Sequence, residues 1–119
     1  MKPELAENTN RNAPLKRFAF TLQLREGAGE EYDIAHSAVW PEMLAMLKRG
    51  GISEYSIFRR GELLFLTFRA EEFELTWSPF DSDPVNLLGQ QAMAPFYTPL
   101  EGLRSGERVP MFKEVFYLA

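Results

Sequence analysis

Between Leu63 and Phe68 the chain carries apolar side chains at Leu63, Leu64, Phe65, Leu66 and Phe68, at odd and even positions alike. The run is too short for a buried helix and stands beside the turn pair Arg60-Gly61. It therefore reads as a strand, Glu62 to Arg69, apolar on both faces. The segment before the turn, Ile52 to Arg60, reads as its hairpin partner. Leaving either face of such a strand in water sacrifices apolar burial, so the sheet that holds it needs a layer on each side.

The other segments supply one of those layers. Lys16 to Arg25 alternates, with Phe18, Phe20, Leu22 and Leu24 on one side and Arg17, Ala19, Thr21, Gln23 and Arg25 on the other, the pattern of a strand with one buried face. Glu30 to Gly50 has helical spacing, and Pro41 is expected to break it at Trp40 and restart it. Gly50-Gly51 then ends the helix. Glu71 to Phe80 is ambiguous and could hold one irregular helical turn. Asp83-Pro84 marks a helix start, cap residue followed by proline at the first helical position, and that helix should run to about Tyr97. Residues 99–110 read as a loop and Phe112 to Leu118 as a closing strand. The order is β-α-β-β-α-β, an α+β, ferredoxin-like plan with both helices on one face of an antiparallel sheet. The opposite face is expected to meet a second copy of the chain, giving a homodimer, a dimeric α+β barrel. With 119 residues, 45% of them hydrophobic, the chain is expected to form one domain over residues 15–119 after a mobile, polar tail over residues 1–14.

Composition removes several chemistries. Seventeen acidic against 13 basic residues leave a net charge of −4, the wrong sign for a partner made of phosphates, so nucleic acid is not expected. No cysteine means no thiolate nucleophile and no Cys-ligated metal, and a single histidine rules out a paired-histidine zinc motif. Neither a secretory leader nor an apolar run of membrane-crossing length is found, so no membrane association and a cytoplasmic location are expected. Asp81 and Asp83 could hold a hard cation but read more simply as a helix cap. Glu71, Glu72 and Glu74 read as a solvated face.

His36 is the one side chain of a type that exchanges protons near neutral pH. It stands four residues after Tyr32, so the two share a helical face, and Tyr55 on the following strand could share a pocket with them. Two readings stay open on the residues alone. His36 is either a core histidine bonded to a backbone carbonyl or the general acid/base of a small active site.

Set in order, Glu30-Glu31-Tyr32 with His36 four residues on, Trp40-Pro41-Glu42, Tyr55, and the ending Glu114-Val115-Phe116-Tyr117-Leu118 resemble the L-rhamnose mutarotase family from about Phe18 to the C-terminus. The resemblance implies a ferredoxin-like dimer without a metal. It implies His36 as the proton donor and Tyr32 and Tyr55 as sugar contacts. The reaction, interconversion of α and β anomers by opening a cyclic hemiacetal, needs proton transfer and no cofactor. The chain departs from the family at an adjacent tryptophan pair that packs on the sugar, where it has Gly89 and Gln90. A larger or differently shaped pocket is expected there, which the Trp77, Phe96 and Tyr97 rings could fill, although core packing is the simpler role for all three. Two alternatives to a mutarotase are an isomerase or cyclase acting on an apolar substrate and a noncatalytic small-molecule binding module.

Overall fold

The computed structural model describes residues 14–119. The tail expected over residues 1–14 lies, apart from Pro14, outside the described residues. In chain order the elements are β1 (Lys16–Gln23), α1 (Gly29–Ala35), α2 (Pro41–Arg49), β2 (Ser53–Arg60), β3 (Leu63–Ala70), α3 (Phe73–Trp77), α4 (Pro84–Met93) and β4 (Met111–Phe112), with 3-10 turns at Ser78–Ser82 and Ala94–Phe96. The strands form one antiparallel sheet in the order β2-β3-β1-β4, so the α+β, ferredoxin-like expectation holds. Each of its two helical stretches is divided in two.

The divisions follow from local chemistry. Trp40 is extended, as a residue before proline prefers, and Pro41 opens α2 where its missing N–H would have no partner. Helix α1 stops earlier than expected, at Ala35, with His36 as its C-cap. Asp83 caps α4, its Oδ1 accepting the Val85 N–H at 2.8 Å, as the Asp-Pro pair predicts. That helix ends at Met93 rather than near Tyr97 because Pro95 cannot donate to the next turn, and a 3-10 turn follows.

Strands β1 and β3 are in register with Phe18 opposite Phe68, Phe20 opposite Leu66 and Leu22 opposite Leu64. These residues form the helix-covered face, where Phe20, Leu64, Leu66 and Phe68 are buried against Tyr32, Met46 and Phe80. The other face is open. Phe58 is 60% exposed, Leu63 48%, Phe65 38% and Phe112 52%, with Phe65 and Phe112 edge-on at 5.8 Å. The second layer predicted for this face is not supplied by the described chain itself. The expected closing strand is also shorter, since only Met111 and Phe112 pair with β1. Beyond them Arg17 reaches the chain end through Glu114, at 2.7 Å, and through the Tyr117 ring, while Val115, Phe116 and Leu118 stay exposed.

One irregularity lies in β2 beside Tyr55. Ser53 is opposite Arg69 and Ser56 opposite Thr67, so β2 carries three steps against two in β3. The extra residue is a bulge, and Glu54 takes it up in the left-handed region, at φ 48°. It lets Ile52 and Tyr55, three positions apart, both turn inward, where unbroken alternation would put them on opposite faces. With it, Tyr55 and Ile57 both point toward the helices and pack on the core. At the other end of β2, Gly61 supplies the positive φ that a two-residue hairpin turn requires.

Candidate functional site

Helix α1 carries two of the predicted residues, and β2 holds the helix in place. Arg59 donates through Nε to Asp33 Oδ1 at 2.7 Å and through Nη1 to the Gly61 carbonyl at 2.7 Å. The first residue of α1 must be glycine for this approach, because a Cβ on Gly29 would stand 2.5 Å from Arg59 Nη1. The guanidinium holds the Asp33 carboxyl below the usual carboxylate range, and a charge on His36 adds to the effect.

One turn on, the His36 ring stacks on Tyr32, with centroids 4.1 Å apart and planes at 26°. Tyr32 is 3% exposed, whereas His36 is half-buried. His36 Nδ1 lies 3.1 Å from the Tyr32 carbonyl oxygen. That oxygen has no proton to give, so the contact is a hydrogen bond when Nδ1 carries the hydrogen. In neutral imidazole the lone pair then belongs to Nε2. The backbone-bonded histidine and the acid/base histidine, two readings on the sequence, are thus compatible: the bond uses one ring nitrogen and leaves the other.

From the sheet, Tyr55 comes within electrostatic reach of Tyr32. Its ring lies 5.7 Å from Phe68 and 6.4 Å from Trp77, and its phenol is close enough to contribute to the upward shift of Tyr32. Burial first, and then the Tyr97 phenol, push both Tyr32 and Tyr55 well above the ordinary phenol range. Both hydroxyls therefore stay protonated at neutral pH and act as hydrogen-bond donors that can also accept.

Tyr97 was assigned to core packing from the sequence. The structure places its ring edge-on to Tyr32, with centroids 6.0 Å apart. No local pattern signals this, because the position comes from a backbone bridge between Tyr97 and Leu24, far apart in the chain. Trp77 does have the core role expected, with Phe68 at 5.3 Å, Phe73 at 5.8 Å and Phe80 at 5.4 Å. Gly89 corrects the expectation of extra room. A Cβ there would stand 2.5 Å from Met43 Cε, so the thioether of α2 already fills that space.

Asp81, considered for a cation, is paired instead with Arg108 at 2.7 Å, and Asp83 is the α4 cap. Among the described residues no three His, Asp or Glu side chains converge as metal ligands. Nor is any helix among them long and apolar enough to cross a membrane. A cavity of about 370 Å³ lies at the end of the sheet beside Thr21, Gln23, Leu63, Thr98, Pro99 and Pro110, and its lining includes none of His36, Tyr32 and Tyr55.

Comparisons with known proteins bear on the family and the fold. A family model described as L-rhamnose mutarotase matches residues 17–118. An L-rhamnose mutarotase of Sinorhizobium fredii is 38% identical over 74 residues, 60% of this chain and 69% of that protein. One of Bacteroides thetaiotaomicron is 46% identical over 44 residues, 37% of this chain and 42% of its own length. The crystal structure of an L-rhamnose mutarotase from Formosa agariphila superposes with a TM-score of 0.70 at 25% identity, covering 87% of this chain and 99% of that one. With nearly the whole described chain matched by sequence and by fold, this protein belongs to the L-rhamnose mutarotase family.

Proposed function

We propose that this chain is an isomerase that interconverts the α and β anomers of L-rhamnose, or of a closely related deoxysugar, with His36 as general acid/base and Tyr32 and Tyr55 as sugar-binding residues. The observation that carries the reading is the His36 ring: Nδ1 engaged by the Tyr32 carbonyl, Nε2 left with its lone pair, and the ring half-buried beside phenols that remain protonated.

The chemistry follows from that geometry. Nε2 takes the proton of the anomeric hydroxyl as the bond between C1 and the ring oxygen breaks, and the imidazolium returns it to the ring oxygen. Both oxygens are bonded to C1, so one nitrogen can serve both. The open-chain aldehyde turns about its bond to C2, and reversal of the same steps on the other face closes the ring to the other anomer. Tyr32 and Tyr55 donate to sugar oxygens and hold the ring while the proton moves. No redox change occurs and no co-reactant is consumed, in keeping with the expectation that no cofactor is required. Acid/base catalysis of this kind contributes about 10²–10⁴-fold.

The test is two-dimensional exchange NMR between the anomers of L-rhamnose. Wild type should accelerate exchange and His36→Asn should lose about 10²-fold or more. Equal exchange rates for the two proteins would remove His36 from the mechanism. Comparable saturable binding of L-rhamnose without exchange would instead identify a binding module.

The working unit in this reading is a homodimer of the single domain at residues 15–119. Its support is the aromatic open face of the sheet and the apolar chain end at Val115, Phe116 and Leu118. Sedimentation equilibrium should give twice the chain mass, and Phe65→Asp should return it to one. Fractionation is expected to recover the protein with cytoplasmic markers, and recovery with periplasmic ones would exclude that location.

A further inference from the structure

Tyr97 is the one tyrosine beside Tyr32 that the family marks do not assign to the site. It is also held more firmly than a loop residue needs to be. Arg25 N–H donates to the Phe96 carbonyl at 2.8 Å, Thr98 N–H donates to the Gln23 carbonyl at 2.9 Å, and Tyr97 itself bridges to Leu24. Residues 96–98 therefore extend the sheet past the end of β1. Directly opposite residues in an antiparallel pair point to the same face. Leu24 is 1% exposed on the helix-covered side, so Tyr97 must enter the core from that side, and its ring meets Tyr32 edge-on.

From this geometry we propose that Tyr97 is a positioning residue of the active site: its hydroxyl fixes the Tyr32 hydroxyl, and through it the grip on the sugar, in a chain with no tryptophan pair to stack on the substrate. The proposal rests on the mutarotase reading and extends it to a residue whose place no motif supplies. Several observations converge. Tyr32 is stacked on its other neighbour, His36, so its ring has little freedom except at the phenol end. After burial, the Tyr97 phenol is the next largest influence on the ionisation of Tyr32, and Tyr32 in turn pulls that of Tyr97 back down. The space at Gly89 is taken by Met43, a flexible apolar group that cannot orient a hydroxylated ring as an indole face does. Orientation must then come from hydrogen-bonding groups, and the phenols of Tyr32, stacked on the imidazole, and of Tyr97 beside it can supply them.

The experiment compares wild type, Tyr97→Phe, Tyr32→Phe and the double variant, each of which keeps its rings and loses only hydroxyls. Loss of one neutral hydrogen bond predicts a rise in KM for L-rhamnose of about 3- to 10-fold in Tyr97→Phe, with kcat changed less and the melting temperature kept to within a few degrees. Since Tyr97 acts through Tyr32, its removal should have no further effect in the Tyr32→Phe background. Fully additive losses overturn the proposal, as does a Tyr97→Phe variant with wild-type KM. A fall in kcat and melting temperature together, with KM unchanged, would also overturn it by marking Tyr97 as structural. A second measurement stands apart from activity: the Tyr32 Cζ resonance of ring-labelled protein should shift in Tyr97→Phe. If wild type exchanges no sugar anomers, the mutarotase reading fails while this resonance still decides the contact, and an unmoved signal refutes the role of Tyr97.

Discussion

Substitutions at Glu54 test whether the bulge in β2 sets the site. Glu54 stands at φ 48°, where an L side chain other than Asn or Asp is disfavoured by about 1–2 kcal/mol. Its one compensation is the ion pair with Arg69, 3.0 Å long with side chains 69% and 32% exposed, worth up to about 1 kcal/mol after solvent screening. Glu54→Gly removes the strain, loses the pair and adds about 0.5–1 kcal/mol of unfolded-state freedom, so its stability should lie within about 1 kcal/mol of wild type. Glu54→Val also loses the pair and crowds a β-branched side chain into the same backbone region, for a deficit of about 2 kcal/mol against the glycine variant. At about 4 °C per kcal/mol for a domain of this size, the two variants should melt about 8 °C apart. Thermal denaturation followed by circular dichroism reads the difference directly. Sugar exchange gives a second readout: disturbing the bulge in the valine variant would displace the neighbouring Tyr55 and raise KM. Equal melting temperatures for the glycine and valine variants would refute the assignment of strain at Glu54, and an unchanged KM in a destabilised valine variant would detach the bulge from the site.

Two further outcomes follow from local geometry. Gly89→Ala places a Cβ against the terminal methyl of Met43, which can swing aside, and gains about 1 kcal/mol of helix propensity, so its melting temperature should hold or rise slightly; Gly50→Ala drives a Cβ into the buried ring of Phe80 and should lower it by several degrees. The Arg108 guanidinium holds the Asp81 carboxyl below the ordinary value near 4, so the folded state resists protonation there more than the unfolded chain does. The stability from this pair is present above pH 4 and lost as the pH falls through the lower folded-state value. Arg108→Gln should therefore melt below wild type at pH 7, with the gap narrowing as the pH is lowered below 4, and a constant gap across that range would refute the linkage.

The parts of this protein legible in its residues are those fixed by neighbours in the chain. Alternation over Phe18 to Leu24 makes a strand with one buried face, Gly61 makes the hairpin turn, and the Trp40-Pro41 and Asp83-Pro84 pairs start helices, because each depends on the conformational limits of one or two residues. Tyr32 and His36 fall in the same class, four positions apart on one helical face and stacked as that spacing allows. Tyr55 does not. It turns inward through the register of β2 against β3, a property of the pairing between strands. Tyr97 meets Tyr32 because its backbone pairs with Leu24, and the space beside Gly89 is occupied by Met43 of another helix. The apolar open face of β3 was evident from Leu63 and Phe65, but the length of β4 depended on how far β1 could pair with it. Short-range sterics wrote the elements into the sequence, while contacts between residues distant in the chain, whose register no local pattern encodes, brought Tyr97 against Tyr32 and turned Tyr55 toward the helices.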